Sequence, residues 1–112
     1  MKNAGAIIWE EKLRAVIEGL ERNGYFGLTI SEVSGCGRQK GLALQRRSVE
    51  YEIDLLPKTK VEVVVLDKDV PVIVNNIAGN ARTGEMGDGK IFIIPVEDAV
   101  RIRTGEVGEN II

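Results

Sequence analysis

Lys58-Thr-Lys-Val-Glu-Val-Val-Val-Leu66 is the clearest strand pattern in the chain, a short valine-rich run of the residue types that favour a pleated backbone. Just beyond it, Asp69-Val70-Pro71 reads as a helix cap followed by proline in the first turn. Val70, Ile73, Val74, Ile77 and Ala81 then recur at helical spacing, with Gly79 as the weak position. A glycine-rich stretch, Thr83 to Gly89, leads into Lys90 to Val96, which has the pattern of a buried strand. The tail from Asp98 to Ile112 is polar and basic, with Arg101 and Arg103 on one side if it is extended.

The same alternation of elements occurs upstream. Lys2 to Trp9 is apolar, β-branched at Ile7 and Ile8, and reads as a strand. From Glu11 to Gly24, Leu13, Val16, Ile17 and Leu20 form one apolar helical stripe, which Asn23-Gly24 stops. Leu28, Ile30 and Val33 mark a second strand between Gly27 and Gly35. Between the two halves lies Gly35 to Ile53, with two basic clusters and weak periodicity, a length of connection that is usually functional or disordered. The order is strand–helix–strand, long loop, strand–helix–strand. It predicts an α+β fold of the ferredoxin-like βαββαβ type, with two helices on one face of an antiparallel sheet. The 112 residues are expected to form one domain, 1–112.

Composition narrows the chemistry. There is no histidine, so the commonest general base and metal ligand are missing, and no Ser–His or Cys–His pair can be built within one chain. The one cysteine, Cys36, allows no intrachain disulfide and too few ligands for zinc. A net charge of −2 and a pI near 5.2 argue against a nucleic-acid surface. Apolar runs such as Val61–Leu66 are too short to span a membrane, and no cleavable signal is read at the N-terminus. A cytoplasmic location is the expectation.

Two segments combine glycine with basic side chains: Gly35-Cys-Gly-Arg-Gln-Lys-Gly41 and Thr83-Gly-Glu-Met-Gly-Asp-Gly-Lys90. Glycine lets several backbone N–H groups converge on an anion, and lysine and arginine supply the charge that phosphate oxygens attract. Arg101-Ile-Arg103 adds two guanidinium groups at strand spacing, facing the same way. Each segment alone reads as a turn with solvated charge; three together point to an anion site. Gly84 to Lys90 formally matches the start of a P-loop. Ile91 stands where magnesium would need Ser or Thr, however, and a strand pattern follows where a P-loop opens a helix. A P-loop is rejected. Glu62, Asp88 and Glu106 read as surface charge or partners for ligand hydroxyls rather than an acid–base pair. For Cys36, beside Arg38 and Lys40, a small side chain filling a turn is preferred over a redox thiol. Trp9 reads as packing.

Gly37-Arg-Gln-Lys-Gly41, Leu56-Pro-Lys-Thr-Lys-Val-Glu-Val-Val-Val65, Ala81-Arg-Thr-Gly-Glu-Met-Gly-Asp-Gly-Lys-Ile-Phe92 and Pro95-Val-Glu-Asp-Ala-Val-Arg-Ile-Arg-Thr-Gly-Glu106 resemble the PII signal-transduction proteins, over almost the whole chain. The resemblance implies a homotrimer of ferredoxin-like subunits that binds ATP or ADP in clefts between neighbours and is not an enzyme. It implies nucleotide contacts from Thr29, Gly37, Arg38, Gln39, Glu62, Val64, Gly87, Asp88, Gly89, Lys90, Arg101 and Arg103. It further implies 2-oxoglutarate beside Mg2+-ATP, with Gln39 as metal ligand and Gln39, Lys40, Gly41 and Lys58 around the oxoacid. Residues 37–55 correspond to the family's T-loop, which docks on partners such as ammonium transporters and nitrogen-assimilation enzymes or regulators. A membrane would be met only through a transporter, and no nucleic acid is expected. An adenine-nucleotide sensor without an oxoacid response is the alternative.

The sequence departs from the family pattern in places. Arg47, Glu50 and Tyr51 of the modification motif are kept, so Tyr51 is a candidate modification site, but Arg46 stands for a tyrosine and Ser48 for a glycine. Trp9-Glu10-Glu11 replaces a more usual basic-proline start to the first helix, and Leu42, Ala43 and Leu44 make the loop more apolar. RNA readers with this fold need strand aromatics for stacking, and aromatics are only 4% here, with no strand pair of them.

Overall fold

The computed structural model describes residues 1–35 and 56–112. Four strands form one antiparallel sheet in the order β2-β3-β1-β4, where β1 is Lys2–Trp9, β2 Leu28–Gly35, β3 Leu56–Val65 and β4 Ile91–Pro95. Helix α1 (Leu13–Arg22) connects β1 to β2, and α2 (Val70–Ala81) connects β3 to β4. This is the ferredoxin-like arrangement that the element order predicts.

Alternation along the strands decides which face is covered. Ala4, Ala6 and Ile8 on β1 and Val61, Val63 and Val65 on β3 are buried with Val16, Leu20, Ile73, Ile77 and Ala81 from the helices. Each large aliphatic side chain so buried contributes roughly 1.5–3 kcal/mol. The other parity faces away from the helices: Gly5 pairs with Glu62, Ile7 with Lys60 and Trp9 with Lys58, while Thr29 on β2 also pairs with Glu62. The functional candidates on the strands therefore stand on the face the helices leave open.

Four expectations are corrected. Helix α1 is preceded by a 3₁₀ turn at Glu10–Lys12 instead of starting as α-helix at Glu11. Asp69 occupies the cap position of α2 but makes no side-chain cap hydrogen bond. It lines the same cleft as Tyr25 instead, and the Tyr25 pKa is raised first by burial and then by the Asp69 charge. Strand β4 is not buried: it lies at the sheet edge, and Phe92 and Ile94 are about half exposed, at 51% and 52%. Its continuous apolar run fits burial, but among the described residues nothing covers its open face. The tail is not extended at Arg101 and Arg103. A turn occupies residues 102–104, closed by the Gly105 amide donating to the Arg101 carbonyl at 2.7 Å, so the two guanidinium groups do not share a strand face.

Gly19 and Gly79 show how packing reverses the effect of one residue type. Gly19 is buried where α1 meets α2, and Asn76 Nδ2 donates to its carbonyl at 3.0 Å. A Cβ there would collide with the Asn76 and Asn80 side chains, whereas a Cβ on Gly79 meets nothing within 4 Å. Gly19→Val is expected to destabilise the fold by about 1–3 kcal/mol, and Gly79→Ala to stabilise it by up to about 1 kcal/mol. Urea unfolding checks both; equal effects would contradict this packing.

Candidate functional site

The described candidate residues fall into two groups along β1. Near its Asn3 end, Thr29, Glu62 and Val64 line a cleft of about 500 Å³, together with Asn3, Tyr25 and Phe26. Asn3 Nδ2 donates to Glu62 Oε2 at 3.0 Å, while Asn3 Oδ1 is buried with no partner among the described residues. The tail closes one side through Ala99, Ile111 and Ile112. Arg101 reaches this tail, its Nη2 lying 3.5 Å from the Ile111 carbonyl, and its Nη1 donates to Glu106 Oε1 at 2.7 Å. Glu106 thus serves as the partner of Arg101. Arg103 stands exposed in the turn.

The second group lies at the Trp9 end. The Ile7 amide donates to the Lys90 carbonyl at 3.0 Å, which carries the ladder from β4 back towards Gly89. Gly89 adopts φ +90° and presses on the Ile7 carbonyl so closely that a Cβ would enter it, so both conformation and space require glycine. Asp88 organises the loop before it. Its Oδ2 accepts from the Thr83 and Gly84 amides, each at 2.9 Å, and its Oδ1 accepts from the Thr83 hydroxyl. These hydrogen bonds, Thr83 foremost and the Trp9 indole last, hold the Asp88 carboxyl below its usual range despite the opposing effect of desolvation. The buried Lys58 ammonium donates to the Gly87 carbonyl and lies 3.6 Å from the centroid of the Trp9 ring. Burial lowers the Lys58 pKa, and the Asp88 charge opposes that shift.

Ile7 lies four positions beyond Asn3 along β1, about 13 Å at strand rise, so the two groups are distinct places on one chain. Lys58 joins the glycine turn, as Asp88, Gly89 and Lys90 do by their position in sequence. Gly37, Arg38, Gln39, Lys40 and Gly41, with Tyr51 and Cys36, lie outside the described residues. The sequence reading missed Trp9, whose ring carries the Lys58 ammonium rather than merely packing, and Asn3 and Tyr25 in the cleft. No periodicity marks these three; Trp9 is brought to Lys58 by the β1–β3 register alone. Among the described residues no helix is long and apolar enough to cross a membrane.

The family model for nitrogen regulatory protein P-II matches residues 1–106. The chain belongs to the P-II nitrogen regulatory family. It is similar to nitrogen regulatory protein P-II 2 of Methanothermobacter thermautotrophicus, 53% identical over 110 residues, covering 98% of this chain and 96% of the relative. It is also similar to nitrogen regulatory protein P-II of Rhodobacter capsulatus, 49% identical, covering 98% of each chain. The P-II protein of Microchaete diplosiphon is 54% identical over 106 residues, covering 95% of each. Membership makes the chain a signal-transduction regulator, in a family whose proteins act on partners in nitrogen metabolism.

Because the Asp88 pKa is depressed in the folded protein, the order it lends the glycine turn is complete above the unfolded carboxyl pKa and is lost as pH falls through the lower folded value. The Thr83 and Gly84 amide resonances are expected to shift together on acidification, with a midpoint below the ordinary value of 3.8. A midpoint at or above that value in an NMR titration would contradict the hydrogen bonding described.

Proposed function

We propose that this P-II protein is a non-enzymatic sensor of nitrogen, carbon and energy status. It binds ATP or ADP, Mg2+ and 2-oxoglutarate, and passes their state to target proteins through the segment 37–55. The whole chain acts as one cytoplasmic domain assembled as a homotrimer. The observation that carries this reading is the separation of the candidate contacts into two half-sites at opposite ends of β1. One is a cleft with an arginine beside it, and the other is a glycine turn with a lysine against it. A nucleotide held by both is best accommodated between neighbouring copies, the cleft of one facing the turn of the next. The half-exposed apolar residues Phe92 and Ile94 on the open sheet face suit the same association.

The donor set fits an adenine nucleotide. Glu62, Thr29, Val64 and the unsatisfied Asn3 Oδ1 offer acceptors and apolar contact to the adenosine. Around the polyphosphate, Gly87, Asp88, Gly89 and Lys90, with Gly37, Arg38 and Gln39, would face Arg101 and Arg103 from a neighbour. Mg2+ is characteristically held by phosphates plus one or two protein ligands, a role for Gln39. Lys58, with Gln39, Lys40 and Gly41, would receive the oxoacid. Ligand state would then select among arrangements of residues 37–55, since both ligands lie at the base of that segment. Ammonium transporters and nitrogen-assimilation enzymes are the expected targets, with Tyr51 as the residue open to modification.

Titration calorimetry tests this. Mg2+-ATP is expected to bind alone, and 2-oxoglutarate only once Mg2+-ATP is present. Lys90→Ala and Arg101→Ala are each expected to weaken ATP by tenfold or more, about 1.4 kcal/mol. Nucleotide binding without the oxoacid would instead identify an energy sensor, and no nucleotide binding would overturn the proposal.

A further inference from the structure

Trp9 and Lys58 are paired residues of the β1–β3 ladder, on the face of the sheet away from the helices. The Lys58 Nζ lies 3.6 Å from the Trp9 ring centroid while donating to the Gly87 carbonyl, and the residue is only 7% exposed. The same indole is also among the groups that hold the Asp88 carboxyl below its usual range, after Thr83 and Gly84, and Asp88 is the carboxylate that organises the Thr83–Gly84 backbone. One aromatic face therefore carries the cation at the start of β3, and that same cation reaches the glycine loop through the Gly87 carbonyl.

We propose that Trp9 is a positioning residue for an anion site at Lys58, holding the ammonium largely stripped of water where a ligand carboxylate reaches it. The proposal rests on the reading of Lys58 as the oxoacid contact and adds what fixes that contact in this chain. A lysine free in solvent carries a hydration shell and many rotamers, and a bound carboxylate must displace the one and freeze the other. The indole face replaces part of the hydration of the ammonium with the attraction of its π-system, and the Gly87 carbonyl takes up one N–H. An arriving carboxylate then meets a cation already in place. A flat aromatic is needed for this, and an aliphatic side chain of similar bulk would not serve.

Trp9 is the only tryptophan in the chain, so its emission reports this contact directly. Lys58→Met is expected to alter the emission of the ligand-free protein, because a charge leaves the ring face. Unchanged emission overturns the proposal whether or not any oxoacid binds. With 2-oxoglutarate titrated into the Mg2+-ATP form by calorimetry, Trp9→Leu is expected to bind about tenfold more weakly than the unaltered protein. Trp9→Phe, which keeps a ring face, should recover to within about threefold. Equal affinity in Trp9→Leu, or no recovery in Trp9→Phe, overturns the positioning role. Failure of the unaltered protein to bind 2-oxoglutarate would remove the oxoacid reading of Lys58 itself, and the emission of Lys58→Met still decides whether Trp9 holds the ammonium.

Discussion

The antiparallel ladder between β1 and β3 is the constraint on which the rest of the structure depends. Its register runs from Lys2 opposite Val65 to Trp9 opposite Lys58. With side chains alternating across a sheet, this one register commits every residue of both strands to a face. A slip of one residue would turn Glu62 and Lys58 under the helices and carry Val61 and Val63 to the open side. The alanines and valines of the buried parity hold the register, because burying them against Ile73, Ile77, Val16 and Leu20 is far more favourable than burying the charged residues of the other parity.

The outer elements follow from this pair. β2 extends the sheet beside β3 and brings Thr29 level with Glu62; β4 extends it beside β1 and brings Phe92 level with Gly5. The glycine turn ends where β4 begins, so Gly89 meets the Ile7 carbonyl, and Lys58, placed by β3, meets the Gly87 carbonyl from the other direction. The candidate contacts are thus built from rigid strand positions and one tightly braced loop. Their order is imposed by packing, and the polar bonds of Asp88 and Lys58 refine it. The energetics favour this division of roles, since the exposed Asp88 network lies in solvent while the aliphatic core does not.

Much of the fold was legible in the sequence because it rests on local periodicity. The valine-rich run of Lys58–Leu66 and the helical stripe of Leu13, Val16, Ile17 and Leu20 are each a signal that a short segment carries by itself. The glycine turn was legible for a similar reason: Gly87, Asp88, Gly89 and Lys90 are adjacent residues whose chemistry is local. The errors share a cause as well. The apolar run of β4 shows that the strand suits burial but not what covers it, and Arg101 and Arg103 are close in sequence whether the backbone is straight or turned.

By itself, the sequence determined the element order, the apolar stripe of each helix and the presence of a glycine-rich turn before the last strand, because these depend on neighbours a few residues apart. The tertiary structure alone decided that Trp9 carries the Lys58 ammonium, that Asp69 lines the cleft with Tyr25 and makes no side-chain cap to its helix, and that the candidate contacts divide between two ends of β1. Trp9 and Lys58 are far apart along the chain, and no periodicity links them. Only the pairing of β1 with β3 sets one side chain over the other, and that pairing is chosen by the burial of the whole core.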